Sequence, residues 1–323
     1  MRRFILGQTG IEVTELGFGA LPMGPLQKDL DPESGSKIIL RALTGGINFI
    51  DTAELYRTYE PIARALRQAP FRPVIASKSM ATDFDGMVRA LNEAREALGI
   101  DCIDIFHLHA ARVAVDEDLF AARDGALQAL LEARKAGRIR AVGVSTHSVP
   151  AVRAAARRPE IEVVFPLINK TGIGILHGDI ASMAAAIDEC RAAGKGVYLM
   201  KALGGGCLVH EYAAAIDFVR QRFSLPLALG MVSAAEVDYN LAWFKRTAND
   251  SAIKPLPPKP IIEKKNFQIV DFLCRDCGEC LASCPNQAIA RPAAEANPRI
   301  DPQSCLGCGY CVAHCPQFAI RMV

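Results

Sequence analysis

Short apolar runs rich in β-branched and aromatic residues alternate with longer Ala-rich amphipathic stretches up to about residue 245. The runs cover 16–19, 48–51, 74–78, 103–108, 141–144, 163–168, 197–200 and 227–232. Between them, stretches such as 124–137 and 179–194 repeat their apolar positions with a helical period. Each ends on a glycine, Gly137 or Gly194, of the kind that closes a helix. Strands that alternate with helices predict an α/β fold with a parallel sheet, because parallel neighbours need a crossover between them. Eight such units in about 230 residues fit a closed (β/α)8 TIM barrel better than an open, doubly wound sheet. No G-x-G-x-x-G loop follows the first run, so a dinucleotide-binding open sheet has no support. Ahead of the barrel, residues 4–6 and 11–13 flank a polar turn and predict a hairpin.

The alternation stops near Thr247. Lys254-Pro255-Leu256-Pro257-Pro258-Lys259-Pro260 cannot continue a helix and predicts an extended, semi-rigid linker. The expected division is a barrel over 1–248, a linker over 249–265 and a second, smaller domain over 266–323. Half of the residues are hydrophobic and 22% are charged, enough apolar surface for a sizeable core. Lys plus Arg number 37 against 35 for Asp plus Glu, a net charge of +2, which argues against nucleic acid as a partner. The first eight residues lack the apolar core of a secretory signal, and no apolar run approaches the length of a membrane span. The expected setting is the cytoplasm, where thiols stay reduced.

In that setting the cysteines change the picture. Eight of the eleven fall between Cys274 and Cys315, in two blocks offset by 31 residues. Cys274-x2-Cys277-x2-Cys280-x3-Cys284-Pro285 is followed by Cys305-x2-Cys308-x2-Cys311-x3-Cys315-Pro316. From about residue 266 to 321 the chain resembles the two-cluster bacterial ferredoxins, which carry this run twice. The resemblance implies a small α+β ferredoxin-like domain holding two 4Fe-4S clusters. Cys274, Cys277, Cys280 and Cys315 would hold the first, and Cys305, Cys308, Cys311 and Cys284 the second. Gly278, Gly307 and Gly309 would let backbone amides approach the sulfurs. C-x2-C pairs also hold zinc, but zinc has no use for eight thiolates in this doubled, Pro-ended order. Two clusters provide a path for single electrons; the other reading is that they brace a domain too small for its own core. Cys102, Cys190 and Cys207 read as packed apolar side chains, and His314 as an exposed histidine.

Four residues at or just beyond consecutive predicted strand ends, Asp51, Tyr56, Lys78 and His109, would converge on one face of a barrel. A phenol, with a pKa of about 10, is a poor proton donor at neutral pH unless a cation stabilises its phenolate. Lys78 would supply the cation, Asp51 would hold Lys78, and His109 would orient a carbonyl that Tyr56 protonates. His107 alternates with His109, and the expectation is one ring turned inward and one toward the helices.

These residues also carry a resemblance. Gly46-Ile47-Asn48-Phe49-Ile50-Asp51-Thr52-Ala53-Glu54-Leu55-Tyr56 is similar to the aldo-keto reductase signature, Ala76-Ser77-Lys78 to its strand-three lysine, and 104–109 to its histidine segment. The whole chain resembles aldo-keto reductase-like oxidoreductases with a C-terminal iron–sulfur domain. That implies a small carbonyl substrate and NAD(P)H. Among the family's cofactor positions, Ser145 and Thr146 stand where the nicotinamide carboxamide is gripped, with Asn169 downstream. Phe165 replaces a hydrogen-bonding glutamine, and Met200 replaces a stacking aromatic. Leu203-Gly204-Gly205-Gly206 resembles a pyrophosphate loop. Ser233, Glu236 and Asn240 are placed to hold adenosine, without the basic residues that a 2′-phosphate needs.

Nicotinamide passes two electrons as hydride, whereas each cluster passes one. FMN or another flavin, which handles both, is therefore the alternative cofactor. Two further readings stay open. One is a flavin-dependent or cluster-driven reductase of another small molecule. The other is a non-enzymatic electron carrier with a vestigial barrel, serving a redox protein partner.

Overall fold

The structure, a computed structural model, describes residues 1–111, 113, 118–246, 266–294, 296–315, 317 and 319–322. The expected 249–265 linker lies outside the described residues.

Strands β1 (Arg3–Ile5) and β2 (Glu12–Thr14) pair antiparallel as the N-terminal hairpin. The sheet that follows comprises β3 (Leu16–Gly19), β4 (Phe49–Asp51), β5 (Val74–Ser79) and β6 (Ile103–Ala110). It continues with β7 (Ile139–Thr146), β8 (Val163–Pro166), β9 (Gly196–Val197) and β10 (Leu227–Gly230). All neighbours are parallel in the order β10-β3-β4-β5-β6-β7-β8-β9, and a Leu199–Leu227 bridge joins the two ends into a barrel. Strand β9 is shorter than its apolar run, because Leu199 and Met200 make isolated bridges instead of a continuous ladder.

Eight helices cover the sheet: α1 (Pro32–Thr44), α2 (Tyr59–Leu66), α3 (Phe84–Leu98), α4 (Asp124–Lys135), α5 (Val149–Arg157), α6 (Ile180–Ala192), α7 (Tyr212–Phe223) and α8 (Ala234–Lys245). Asp31, Asp83, Ser148, Asp179 and Ser233 cap α1, α3, α5, α6 and α8, each accepting from a backbone N–H of the first turn.

Strand parity divides the core in two. Ile50, Ile75, Phe106, Leu108, Val142 and Val144 pack under the helices. Phe49, Ile105, Ala141, Val163, Phe165 and Tyr198 fill the barrel. Leu6, Ile11 and Val13 of the hairpin join the inner cluster and close the end where the strands begin.

The second domain pairs β11 (Phe267–Ile269) with β14 (Ile320–Met322), and β12 (Ile289–Ala290) with β13 (Arg299–Ile300). Each pair accompanies a short helix, α9 (Glu279–Ser283) or α10 (Tyr310–Ala313), so the doubled sequence folds as two similar halves around one core. This domain sits on the barrel mouth. Leu306 enters the inner cluster beside Leu167 and Met200, and Tyr310 packs with Leu26, Ala53 and Tyr56. Two close approaches fix the docking. A Cβ on Gly205 would lie 1.7 Å from the Leu306 carbonyl oxygen, and one on Gly309 would lie 2.4 Å from that of Leu26. Among the described residues, no helix is long and apolar enough to cross a membrane.

Candidate active site and cluster ligands

Asp51 ends β4, Lys78 lies near the end of β5 and His109 near the end of β6, so parallel register brings them to one mouth. Tyr56 arrives on a 3-10 turn whose exit residue, Arg57, is left-handed at φ +52°. The turn is clamped by a 2.7 Å bond between the Thr52 and Thr58 hydroxyls. The structure thus assembles all four predicted residues.

Lys78 Nζ donates to both Asp51 oxygens, at 2.8 and 2.9 Å, and to the Thr52 carbonyl at 2.7 Å. An ammonium has three protons, and all three are used. Lys78 therefore acts on Tyr56 through space, with Nζ 4.8 Å from the ring centroid. Burial pushes the Asp51 carboxyl up and the Lys78 ammonium down from their ordinary values, and the attraction between the two opposes both shifts. Burial, with Tyr310 and Asp51 alongside, holds the Tyr56 phenol well above its usual range, so it stays protonated. His109 is held well below the usual histidine range by burial and by Lys78, and is neutral.

One expectation is overturned. His107 and His109, two residues apart on one strand, share a face, and both rings are buried inside the barrel. His107 Nε2 bonds the Tyr198 hydroxyl at 2.7 Å, and Tyr198 donates to Asp51 at 3.0 Å. Gly143 makes this possible, since a Cβ there would lie 2.2 Å from the His107 ring. Tyr198 was missed, although its parity with Met200 on the same run marks it as inward. Tyr310 was missed for a different reason. It lies in the cysteine blocks, 201 residues from His109, yet its hydroxyl stands 2.7 Å from His109 Nε2 and it packs in one buried cluster with Tyr56.

Beside the tetrad opens a cleft of about 420 Å³ walled by Asp51, Tyr56, Phe165, Met200 and Lys201. Phe165 stacks on Tyr198 with ring centroids 3.9 Å apart, giving the cleft an apolar floor. Lys201 is held in the left-handed region at φ +61°. Burial lowers its ammonium, opposed by Cys308, Cys305 and Cys207 nearby.

The eight cysteines divide as the resemblance to two-cluster ferredoxins implied. Cys274, Cys277, Cys280 and Cys315 line one small cavity, and Cys284, Cys305, Cys308 and Cys311 line another. None of them forms a disulfide. Backbone amides of Asp276, Gly307, Ala288 and Ala319 point at the sulfurs of Cys274, Cys305, Cys284 and Cys315, at 3.2–3.4 Å. Gly278, Gly307 and Gly309 are left-handed, at φ +79°, +60° and +77°. Among the described residues, no three ligand side chains are close enough to hold a single metal ion. Four thiols around each cavity are the donor set that a 4Fe-4S cubane takes. Burial pushes the Cys280, Cys308 and Cys311 thiols up, a shift that bound iron would reverse by stabilising the thiolates.

The aldo/keto reductase family model matches residues 15–247, and a 4Fe-4S dicluster domain matches 267–316. The chain belongs to the aldo/keto reductase family. It is an oxidoreductase with a C-terminal iron–sulfur domain. Pyridoxal 4-dehydrogenase of Microbacterium luteolum is 23% identical over 321 residues, 76% of this chain and 93% of that protein. An aldo-keto reductase of Schizosaccharomyces pombe, yakc [NADP(+)], is 25% identical over 64% of this chain and 63% of its own. An aldo-keto reductase of Bacillus halodurans superposes with a TM-score of 0.63 at 18% identity, covering 76% of this chain and 92% of its own.

Against the family's cofactor positions, the residues separate into two groups. Met200, Leu203, Gly205, Gly206, Ser233 and Glu236 wall the cleft. Gly204 is buried behind them. The others are engaged inside the protein. Ser145 is buried on β7, and the Thr146 hydroxyl accepts from Ser148 N–H at 3.2 Å. The Asn169 amide donates to Ile173 and accepts from Thr171, and Asn240 bonds Tyr212 and Glu236. Of the remaining cysteines, Cys190 is buried, whereas Cys102 and Cys207 are half-buried. Cys207 is more than packing, since its thiol donates to the Cys305 carbonyl across the domain contact at 3.4 Å. His314 is exposed.

Proposed function

We propose that this aldo/keto reductase interconverts a small carbonyl compound and its alcohol, with Tyr56 as the general acid. The observation that carries the reading is a protonated, buried phenol in the wall of the cleft, with the Lys78–Asp51 pair directly behind it. A nicotinamide in the cleft would supply hydride, a flavin either hydride or single electrons, and the two clusters single electrons.

The protein's own groups do the rest. Tyr56 passes its proton to the substrate oxygen, and the nearby Lys78 charge stabilises the phenolate left behind. Asp51, held by Tyr198, fixes that lysine. Phe165 and Met200 give the cleft an apolar wall for a planar ring. The cysteines of the second cluster lie at the same mouth, which supports electron exchange between the barrel and a redox partner. Pyridoxal, the substrate in the name of one relative, is a first compound to assay.

Tyr56→Phe is expected to abolish carbonyl reduction while the visible iron–sulfur absorption stays intact. Unchanged turnover would remove Tyr56 from the acid role. If chelated, cluster-free protein turns over at the same rate with the same donors, the clusters are braces and not carriers.

A further inference from the structure

We infer that Tyr310 determines which substrates this site accepts, because its hydroxyl occupies the His109 nitrogen that would orient a substrate oxygen beside Tyr56. The inference rests on the acid role proposed for Tyr56. A carbonyl oxygen to be protonated by one group and oriented by the other must sit where both can reach it. The His109 side of that point is taken by the Tyr310 hydroxyl, 2.7 Å from His109 Nε2, with Tyr310 in the same buried cluster as Tyr56. A phenol bonded to that nitrogen uses the hydrogen bond that the imidazole would otherwise offer a substrate there.

The placement is built into the docking of the cluster domain. The backbone just ahead of Tyr310 is keyed to the barrel at three places: Leu306 against Gly205, Gly307 against the Gln27 side chain, and Gly309 against Leu26. None of these contacts involves the tetrad, yet together they hold the phenol over it. Tyr56 is part of the cleft wall, whereas His109 lies behind Tyr310 and is buried. A ligand in the cleft therefore reaches the acid and not the orienting imidazole. Ordinary aldehydes and ketones, whose carbonyl needs both, compete with an internal group that is permanently at hand. Substrates are selected by their ability to displace this phenol, which the cluster domain holds behind the cleft wall.

The test uses the full, cluster-loaded protein with 4-nitrobenzaldehyde and NADPH or NADH. Tyr310→Ala is expected to raise kcat/KM roughly tenfold, the upper scale of one buried hydrogen bond no longer competing. Calorimetry in the presence of the oxidised nucleotide should show the aldehyde binding more tightly by a similar factor. A rise of less than threefold in kcat/KM, or any loss, overturns the inference. Tyr310→Leu retains apolar packing against Leu26, Ala53 and Ala111. Should the alanine variant lose its visible cluster absorption, the leucine variant decides by the same criterion. Adding Tyr56→Phe separates this inference from the reading beneath it. If Tyr310→Ala gains nothing while Tyr56→Phe still abolishes wild-type turnover, the specificity role falls and the acid role stands. A gain that survives Tyr56→Phe supports the specificity role and overturns the acid role.

Discussion

Lys78 carries more of the barrel than its single charge suggests. Its three bonds to Asp51 and Thr52 are all buried, and Asp51 also accepts from Tyr198, which in turn holds His107. Removing one member strands another. Lys78→Met is expected to destabilise the fold by about 3–5 kcal/mol in urea unfolding, because it leaves a buried carboxylate without its cation. The double variant Lys78→Met/Asp51→Asn should recover a large part of that loss, since no unpaired charge remains. If the double variant is no more stable than the single one, the pair is not the anchor described here. Asp51, Tyr56, Lys78 and His109 were all legible in the sequence, because barrel strands repeat a fixed parity and end at a common face. The hydrogen-bond partners were less so. Asn169 and Thr146 look like ligand-binding groups in the sequence, but nearer backbone groups take up their polar atoms.

At the scale of elements, the glycine turn 204–206 serves two surfaces at once. Gly205 and Gly206 wall the cleft, and Gly205 also lies against the Leu306 carbonyl, at φ +67°. Gly10 has the same φ and nothing within 4 Å of an added Cβ, which makes it a matched control. Gly10→Ala is expected to cost about 1–2 kcal/mol, the penalty of a left-handed conformation alone. Gly205→Ala adds a clash with backbone and should cost clearly more, with faster proteolysis of the cluster domain. Equal costs for the two variants would mean that the domain does not dock through this turn. From the sequence, the loop read as a phosphate cradle, because glycine freedom looks the same whether a ligand or a neighbouring domain makes the close approach.

The whole molecule buries three histidines, 107, 109 and 147, inside the barrel and its mouth. Burial and nearby lysines hold His107 and His109 well below the ordinary histidine range, and hold His147 down to about 3. In the unfolded chain these rings take up protons below about pH 6.5. As the pH falls from there toward 3, the unfolded state binds protons that the folded state refuses, and stability is lost. Each buried histidine contributes up to about 1.4 kcal/mol per pH unit in that window. Unfolding midpoints between pH 7.5 and 4.5 should therefore fall, and His147→Gln should flatten the slope. An unchanged slope would show that His147 is not held neutral.

The sequence by itself determined the two-part architecture, the eight strand–helix units, the tetrad and the pairing of the eight cysteines into two sets. The units and the tetrad rest on local spacing, a period of two or 3.6 and a strand end, whereas the crossing of Cys284 and Cys315 between the sets came from the resemblance to two-cluster ferredoxins. Only the tertiary structure decided that the cluster domain docks on the barrel mouth. It puts Leu306 into the inner core and the Tyr310 hydroxyl on His109, in one cluster with Tyr56. Contacts between residues 201 apart leave no periodic trace, because they depend on how two separately folded surfaces meet.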